Sequence, residues 1–282
     1  MRGHRLRAAL TAGCVLAAGL ACGCAASGRP VGGPAAARSS GAEIPAAAAS
    51  PSAPASPSPA LPLAGRVVGI DPGHNGGNFA DPSYINQQIW NGTGYEACDT
   101  TGTQAVDGFT EASFNFDVAT DLRADLIADG ATVVMTRQSN DGVGPCVTTR
   151  AQIINDAHAD VAIDIHADGG PTWGRGFTVL EPAADGPNDA VIAASERFGA
   201  DVRAAILQYT PMPESDYYGT DGIISRDDLA GLNLTTVPKV LVECGNMPNP
   251  TDASLLQSPV FQQQLARAFT AAIIEFLAGQ PA

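Results

Sequence analysis

The 282-residue sequence predicts an α/β fold, with a single folded domain built on a central, mostly parallel, twisted sheet flanked by helices. Two observations lead to this prediction. Short β-branched apolar runs alternate with longer segments of helical periodicity, which is typical of parallel strands joined by crossover helices. In addition, the sequence contains no visible internal repeat, and no second domain follows the last predicted helix.

The predicted elements follow from hydrophobic periodicity. Short apolar runs predict strands buried on both faces at 67–70, 132–135, 161–165, 177–180 and 240–242. Phe114, Val118, Leu122 and Leu126 recur every four residues, which predicts a helix that stops at Gly130. Further helices are predicted at 148–157, 189–207 and 259–277. Residues 78–108 are rich in Gly, Asn, Thr and Asp and predict a long surface flap without regular structure.

The N-terminal segment predicts export. Arg2, Arg5 and Arg7 precede an apolar run rich in Ala and Gly, and this pattern indicates a signal peptide over residues 1–28. A permanent anchor is the alternative, but the run is short and no other stretch is long enough to span a bilayer. Cys22 and Cys24 lie near the expected cleavage point, so the protein is expected to be secreted or held in the cell envelope, with lipid attachment left open.

Residues 29–62 consist mainly of Ala, Pro, Ser and Gly, with almost no bulky apolar side chains. Such a segment buries too little surface to offset its chain entropy and predicts a disordered linker. The folded domain is therefore predicted at 63–282.

The charge of the chain argues against some partners. It has 15 Lys and Arg against 29 Asp and Glu, a formal net charge of −14, which disfavours binding to nucleic acid or to an anionic membrane surface. Lys239 is its single lysine, which argues against lysine-based catalysis.

Three cysteines follow the predicted signal peptide. Cys98 and Cys146 lie in loop-like stretches, whereas Cys244 follows an apolar strand pattern. Because exported proteins can keep disulfides, we expect Cys98 to pair with Cys146 and to tie down the flap, and Cys244 to be a buried thiol. A nucleophilic Cys244 is the alternative, and no neighbouring feature supports it.

Candidate functional residues follow predicted strands. His74 and His166 lie at two strand ends, Glu243 ends a third, and Glu111 begins the first predicted helix; His158 is expected to be a solvated loop residue. Two imidazoles and a carboxylate are a ligand set found at the zinc ion of hydrolytic enzymes. A second carboxylate, outside the ligand set, can act as general base and then as general acid.

Spacing alone leaves the structural alternatives open. The histidines could be hydrogen-bonded structural residues, and Glu111 could be an acid favoured by the helix dipole. Glu243 is harder to explain in this way, because an acid beside a core strand needs a partner. The helical motif with two histidines four residues apart is absent.

Six segments, taken together, resemble the zinc-dependent N-acetylmuramoyl-L-alanine amidases of the type-3 family, and above all its compact mycobacterial members. They are IDPGHNG at 70–76, EASFN at 111–115, IHADGG at 165–170, GRGF at 174–177, DLAGLN at 228–233 and VLVECGNM at 240–247. The resemblance covers about residues 66–277.

The resemblance implies a mainly parallel sheet, zinc bound by His74, Glu111 and His166, and Glu243 as the catalytic acid/base. It implies hydrolysis of the amide between the lactyl group of N-acetylmuramic acid and L-alanine in peptidoglycan or muropeptides. Arg150 matches a family position and is expected to be a structural, ion-paired residue.

The chain also departs from the wider family. Asp168 stands where Asn is more usual in the family, and the compact mycobacterial members share this Asp. Residues 183–210 predict one amphipathic helix without an inserted, metal-blocking helix, so no activator protein is expected. Because no wall-binding module is recognisable, residues 79–108 and 217–233 are expected to line the substrate groove of a monomeric enzyme.

Two other functions remain open at this point. The same ligand set could serve another zinc hydrolase, acting on peptide bonds or acetylated sugars. The chain could also be a non-catalytic peptidoglycan-binding protein, although binding alone does not require Glu243. A structural lipoprotein would leave the ligand pattern unexplained.

Overall fold

The computed structural model describes residues 60–184 and 186–280. The predicted signal peptide, Cys22, Cys24 and nearly all of the predicted linker lie outside these residues. Within the described part of the chain, none of the helices combines the length and apolar character needed to cross a membrane.

The described residues form eight strands, seven α-helices and two single-turn 3₁₀ helices, Asn78–Ala80 and Asp189–Val191. The strands are β1 (Val67–Pro72), β2 (Gln88–Trp90), β3 (Tyr95–Ala97), β4 (Thr132–Met135), β5 (Val161–Asp168), β6 (Thr178–Pro182), β7 (Ile223–Arg226) and β8 (Lys239–Asn246). The helices are α1 (Pro82–Ile85), α2 (Glu111–Ala128), α3 (Val147–Asp156), α4 (Ile192–Tyr209), α5 (Ala230–Asn233), α6 (Pro250–Leu256) and α7 (Pro259–Ala278).

Six strands form the central sheet in the order β4-β1-β5-β8-β6-β7. Every neighbouring pair is parallel except β6 and β8, which run antiparallel. The predicted mostly parallel α/β sheet is therefore confirmed. Helix α2 ends as predicted, because Gly130 has φ +96°, a left-handed conformation that glycine adopts without steric cost.

The two buried faces of the sheet differ in chemistry. One face carries Val68, Ile70, Ile163, Val240 and Val242, which belong to a large apolar core shared with α2, α4 and α7. The strand register places a second set on the opposite face, because side chains alternate along each strand. That set is Asp71, Asp164, His166, Lys239 and Glu243. The candidate site residues His166 and Glu243 therefore lie on the polar face of the sheet, near the carboxyl ends of their strands.

The predicted flap contains more regular structure than expected. Residues 78–108 include α1 and the antiparallel hairpin β2–β3, so the prediction of a loop without secondary structure is wrong. Polar side chains of the segment satisfy its backbone: the side chain of Asp81 accepts a hydrogen bond from the Tyr84 amide at the start of α1. Composition concealed these elements because they are only three or four residues long.

The cysteines are arranged as predicted. Cys98 and Cys146 form a disulfide with their Cα atoms 4.7 Å apart, and Cys244 is a buried free thiol. The disulfide joins the end of the hairpin segment to the residue that precedes α3. Residues 217–233, expected from the sequence to form a loop along the groove, instead contain β7 and α5.

Candidate active site

The three predicted metal ligands converge although 37 and 55 residues separate them in sequence. His74 follows β1, Glu111 is the first residue of α2, and His166 lies near the end of β5. One ligand-capable atom from each lies within 4.8 Å of the others. The centroids of the two imidazole rings are 4.9 Å apart, and the ring planes are nearly perpendicular.

The Glu111 carboxylate lies between the two rings. Its Oε1 is 2.8 Å from His166 Nδ1 and 3.3 Å from His74 Nε2, while Oε2 accepts a hydrogen bond from the Thr103 amide at 2.8 Å. The Thr110 side chain accepts a hydrogen bond from the Ser113 amide at the start of α2, which fixes the helix end that presents Glu111. Glu111 is thus a helix N-terminal acid and a member of the cluster.

Close packing explains the Gly-His pair after β1. A Cβ atom on Gly73 would lie 2.1 Å from His166 Cε1, so only glycine lets the two segments approach this closely. The following residue, His74, has φ +56°, an uncommon conformation for a residue other than glycine. Such strained backbone is concentrated at functional sites.

Each histidine has a second carboxylate on its far side. His74 Nδ1 lies 3.1 Å from Asp99 Oδ1, and His166 Nε2 lies 3.3 Å from Asp164 Oδ1. Sequence reasoning missed both acids. Asp164 had a detectable signal, because it stands two residues before His166 and therefore shares its face of β5. Asp99 had none, because it lies in the irregular segment after β3.

The charges of the cluster are strongly coupled. Burial lowers the pKa of His74, but the charge of Glu111 and the hydrogen bond with Asp99 outweigh it and raise that pKa to about 9. Burial likewise opposes protonation of His166, and Asp164 and Glu111 hold its pKa well above the usual range. The pKa of Glu111 is raised by burial and lowered more strongly by the two histidines, so it lies well below its usual range. The cluster is thus arranged to hold positive charge.

Glu243 lies beside the cluster and differs from Glu111. It is the register partner of His166 on the neighbouring strand β8. Its Oε2 is buried and has no hydrogen-bond partner among residues 60–184 and 186–280. Burial raises the pKa of Glu243 to about 8, with the lowering effect of His166 partly cancelled by the charge of Glu111. An acid with a pKa near neutrality and an unpartnered carboxylate oxygen is suited to proton transfer.

One cavity of about 420 Å³ joins these residues. His74, Glu111, His166 and Glu243 all line it, so the structure brings together all four predicted site residues. Both segments predicted to line the groove contribute to its wall: Thr100 and Gly102 from the first, Tyr217, Tyr218, Arg226 and Leu229 from the second.

Tyr217 is a further wall residue that sequence reasoning did not single out. It donates a hydrogen bond to Asp168 Oδ2 at 2.6 Å, and burial together with this bond raises its pKa. His158 is exposed, as predicted. Arg150 is buried and paired with Asp71 and Asp99, which confirms its structural, ion-paired role.

Two imidazoles and a carboxylate at an open cavity, with a separate half-buried acid beside them, define a candidate metallohydrolase centre. The chain belongs to the type-3 family described as N-acetylmuramoyl-L-alanine amidase, whose model matches residues 68–275. It is therefore an enzyme of the amidase class, and the resemblance seen in the sequence is confirmed.

Individual relatives agree with this assignment. The chain is 40% identical over 219 residues to an N-acetylmuramoyl-L-alanine amidase of Mycobacterium tuberculosis. This alignment covers 77% of this chain and 89% of that protein. The crystal structure of a Mycobacterium smegmatis N-acetylmuramyl-L-alanine amidase matches with a TM-score of 0.73 and 40% identity, over 77% of this chain and 99% of that one. The crystal structure of the apo form of a Mycobacterium abscessus N-acetylmuramyl-L-alanine amidase matches with a TM-score of 0.72 and 39% identity. That match covers 76% of this chain and 100% of the other.

Proposed function

We propose that this protein is a zinc-dependent enzyme that hydrolyses the amide bond between the lactyl group of N-acetylmuramic acid and L-alanine in peptidoglycan stem peptides. Family membership supports the reaction. The observation that carries the mechanism is the position of Glu243, a half-buried acid whose Oε2 has no hydrogen-bond partner among the described residues, in the same cavity as the His74–Glu111–His166 cluster.

The donor set fits zinc. Hydrolytic zinc sites commonly use three protein ligands, either three imidazoles or two imidazoles and a carboxylate, and keep one position open to solvent or substrate. His74, Glu111 and His166 supply such a set on the wall of an open cavity, and both histidines have the outer carboxylate that commonly orients a zinc-binding imidazole. Zinc held there lowers the pKa of a water molecule to about 7 and polarises the substrate carbonyl.

The side chains of this chain divide the remaining work. Glu243 accepts the proton of the attacking water and then delivers it to the nitrogen of the departing L-alanine, which leaves as an amine. Because its Oε2 has no hydrogen-bond partner among the described residues, that oxygen is available for both proton transfers. The tyrosines and Arg226 line the wall of the cavity against which substrate would be oriented.

The proposal extends to where and how the protein acts. Family membership indicates work at the cell wall, and the N-terminal sequence pattern supports export into the envelope. None of the described residues lining the catalytic cavity comes from the 183–210 segment. The proposal includes an enzyme that needs no activating partner and, as a separate expectation, a monomer.

Three single substitutions test the assigned roles. Purified Glu243→Ala should keep zinc, measured by elemental analysis, and lose hydrolysis of an N-acetylmuramoyl dipeptide. His166→Ala should lose both zinc and activity, whereas His158→Ala, which removes an exposed histidine, should keep both. Loss of metal from Glu243→Ala would make that residue a ligand instead, and a fully active His166→Ala would refute the metal site.

Product identity separates the alternatives. Chromatography of the dipeptide digest should yield the free sugar acid and a peptide with an L-alanine amino terminus. Cleavage within the peptide, or removal of the N-acetyl group, would move the protein to another zinc hydrolase class. Tight binding of zinc and glycopeptide without turnover would favour the non-catalytic binding protein.

A further inference from the structure

Five charged side chains lie on or against the polar face of the sheet, directly behind the proposed ligands. They are Asp99, Arg150, Asp71, Lys239 and Asp164. All five are at most 5% exposed. Fully buried charges are costly unless they are paired, so this cluster requires a specific explanation.

The five side chains form one continuous array. Lys239 Nζ lies 3.0 Å from Asp71 Oδ2 and 3.4 Å from Asp164 Oδ2, so the lysine bridges two strands of the sheet. Arg150 continues the array, with Nη1 3.0 Å from Asp71 Oδ1 and Nη2 3.2 Å from Asp99 Oδ2. Asp71 is thus held between two cations, and an aspartate stands at each end.

The two terminal aspartates contact the two histidines from behind. His74 has Nδ1 toward Asp99, so its Nε2 faces Glu111. His166 has the opposite orientation, with Nε2 toward Asp164 and Nδ1 facing Glu111. The two rings therefore present different nitrogen atoms to the same point.

We propose that Asp99 and Asp164 are positioning residues that fix which nitrogen each histidine offers to the metal, Nε2 from His74 and Nδ1 from His166. The Lys239–Asp71–Arg150 bridge holds the two aspartates at a fixed separation. This inference rests on the metal site of the proposed function and adds residues outside the ligand set to it.

One detail distinguishes positioning from a purely structural role. Asp164 Oδ2 is paired with Lys239, whereas the other oxygen, Oδ1, lies 3.3 Å from His166 Nε2 and has no other polar partner among the described residues. A carboxylate needed only to neutralise the lysine would not leave its second oxygen directed at an imidazole. Asp164 and His166 stand two residues apart on β5, so the strand itself fixes their separation.

Asp164→Asn tests this role, with Asp160→Asn as the matched control. Asp160 lies just before the first residue of β5, at the end of the strand far from the histidines, and pairs with Arg66. Competition with a zinc chelator should show about 10- to 100-fold weaker zinc binding for Asp164→Asn, the usual effect of losing an outer carboxylate. Asp160→Asn should bind zinc like the wild type. Circular dichroism and the urea midpoint show whether each variant is folded. Equal zinc affinity in the two folded variants would overturn the inference.

A second measurement needs no substitution at the array. Long-range ¹H–¹⁵N spectra of the zinc-loaded wild type report which nitrogen of each histidine carries a proton, and His158→Gln identifies the signals of the third histidine of the folded domain. We expect a proton on Nδ1 of His74 and on Nε2 of His166. Protons on the same nitrogen of both rings would refute the assignment. Absence of zinc binding by the wild type would instead overturn the proposed metal site itself.

Discussion

Replacing Glu243 by glutamine tests how its burial affects both stability and catalysis. Glutamine keeps the shape of the protonated acid but cannot ionise. Burial raises the pKa of Glu243 from its ordinary value of 4.5 to about 8 in the metal-free protein. The folded state therefore holds this proton more tightly than the unfolded state does. The resulting stabilisation is fully present below pH 4.5 and is lost as the pH rises to about 8.

The size of the effect follows from these values. Each pH unit between the folded and unfolded pKa corresponds to about 1.4 kcal/mol, so raising the pH from 6 to 9 should cost the wild type up to about 3 kcal/mol through this group. The side chain partly faces the cavity, and solvent screening reduces the effect. We therefore expect a relative loss of about 1–2 kcal/mol for the wild type against Glu243→Gln.

Urea unfolding in the presence of a chelator at pH 6, 7.5 and 9 provides the assay. The chelator is needed because a bound cation would lower the pKa of Glu243 by its charge. Glu275→Gln, at an exposed position of α7, is the matched control and should follow the wild type. Parallel stability profiles for the wild type and Glu243→Gln would refute the argument that burial raises this pKa. With zinc restored, Glu243→Gln should bind metal but show no turnover.

Three further changes probe the surroundings of the site. Lys239→Met should lower the free energy of unfolding by about 3–5 kcal/mol in urea titrations, because it leaves Asp71 and Asp164 buried without their shared cation. A loss below about 1 kcal/mol would mean that the buried charge array contributes little to stability. Gly73→Ala should weaken zinc binding about tenfold or more in chelator competition, since its Cβ would displace the His166 ring, and unchanged affinity would contradict this packing. Replacing Cys98 and Cys146 by serine should cost about 2–4 kcal/mol in urea and speed amide hydrogen exchange in residues 82–99, whereas unchanged exchange would show that the disulfide does not order this segment.

The sequence predicted the central sheet because its strands carry a strong local signal. Runs such as 161–165 and 240–242 are β-branched and apolar, and the alternating helices leave few other topologies. Three of the four site residues could be predicted for a related reason. His74, His166 and Glu243 stand next to these strands, so the order of the elements brings them together at the carboxyl ends of the parallel strands.

The outer residues of the site could not be found in the same way. Lys239 and Asp71 are single polar residues at strand ends, and only the strand register shows that they share a face with His166. Asp99 and Tyr217 lie in segments whose paths are fixed by long-range contacts, such as the Tyr217 hydrogen bond to Asp168 and the Asp99 pair with Arg150. No local pattern encodes contacts of this kind.

Digestion of purified peptidoglycan, with and without a zinc chelator, tests the central claim most directly. Mass spectrometry of the soluble fragments should reveal free stem peptides that begin with L-alanine, and these should disappear when the chelator is present and return when zinc is added back. Stem peptides that remain attached to muramic acid in the presence of zinc would contradict the proposed function.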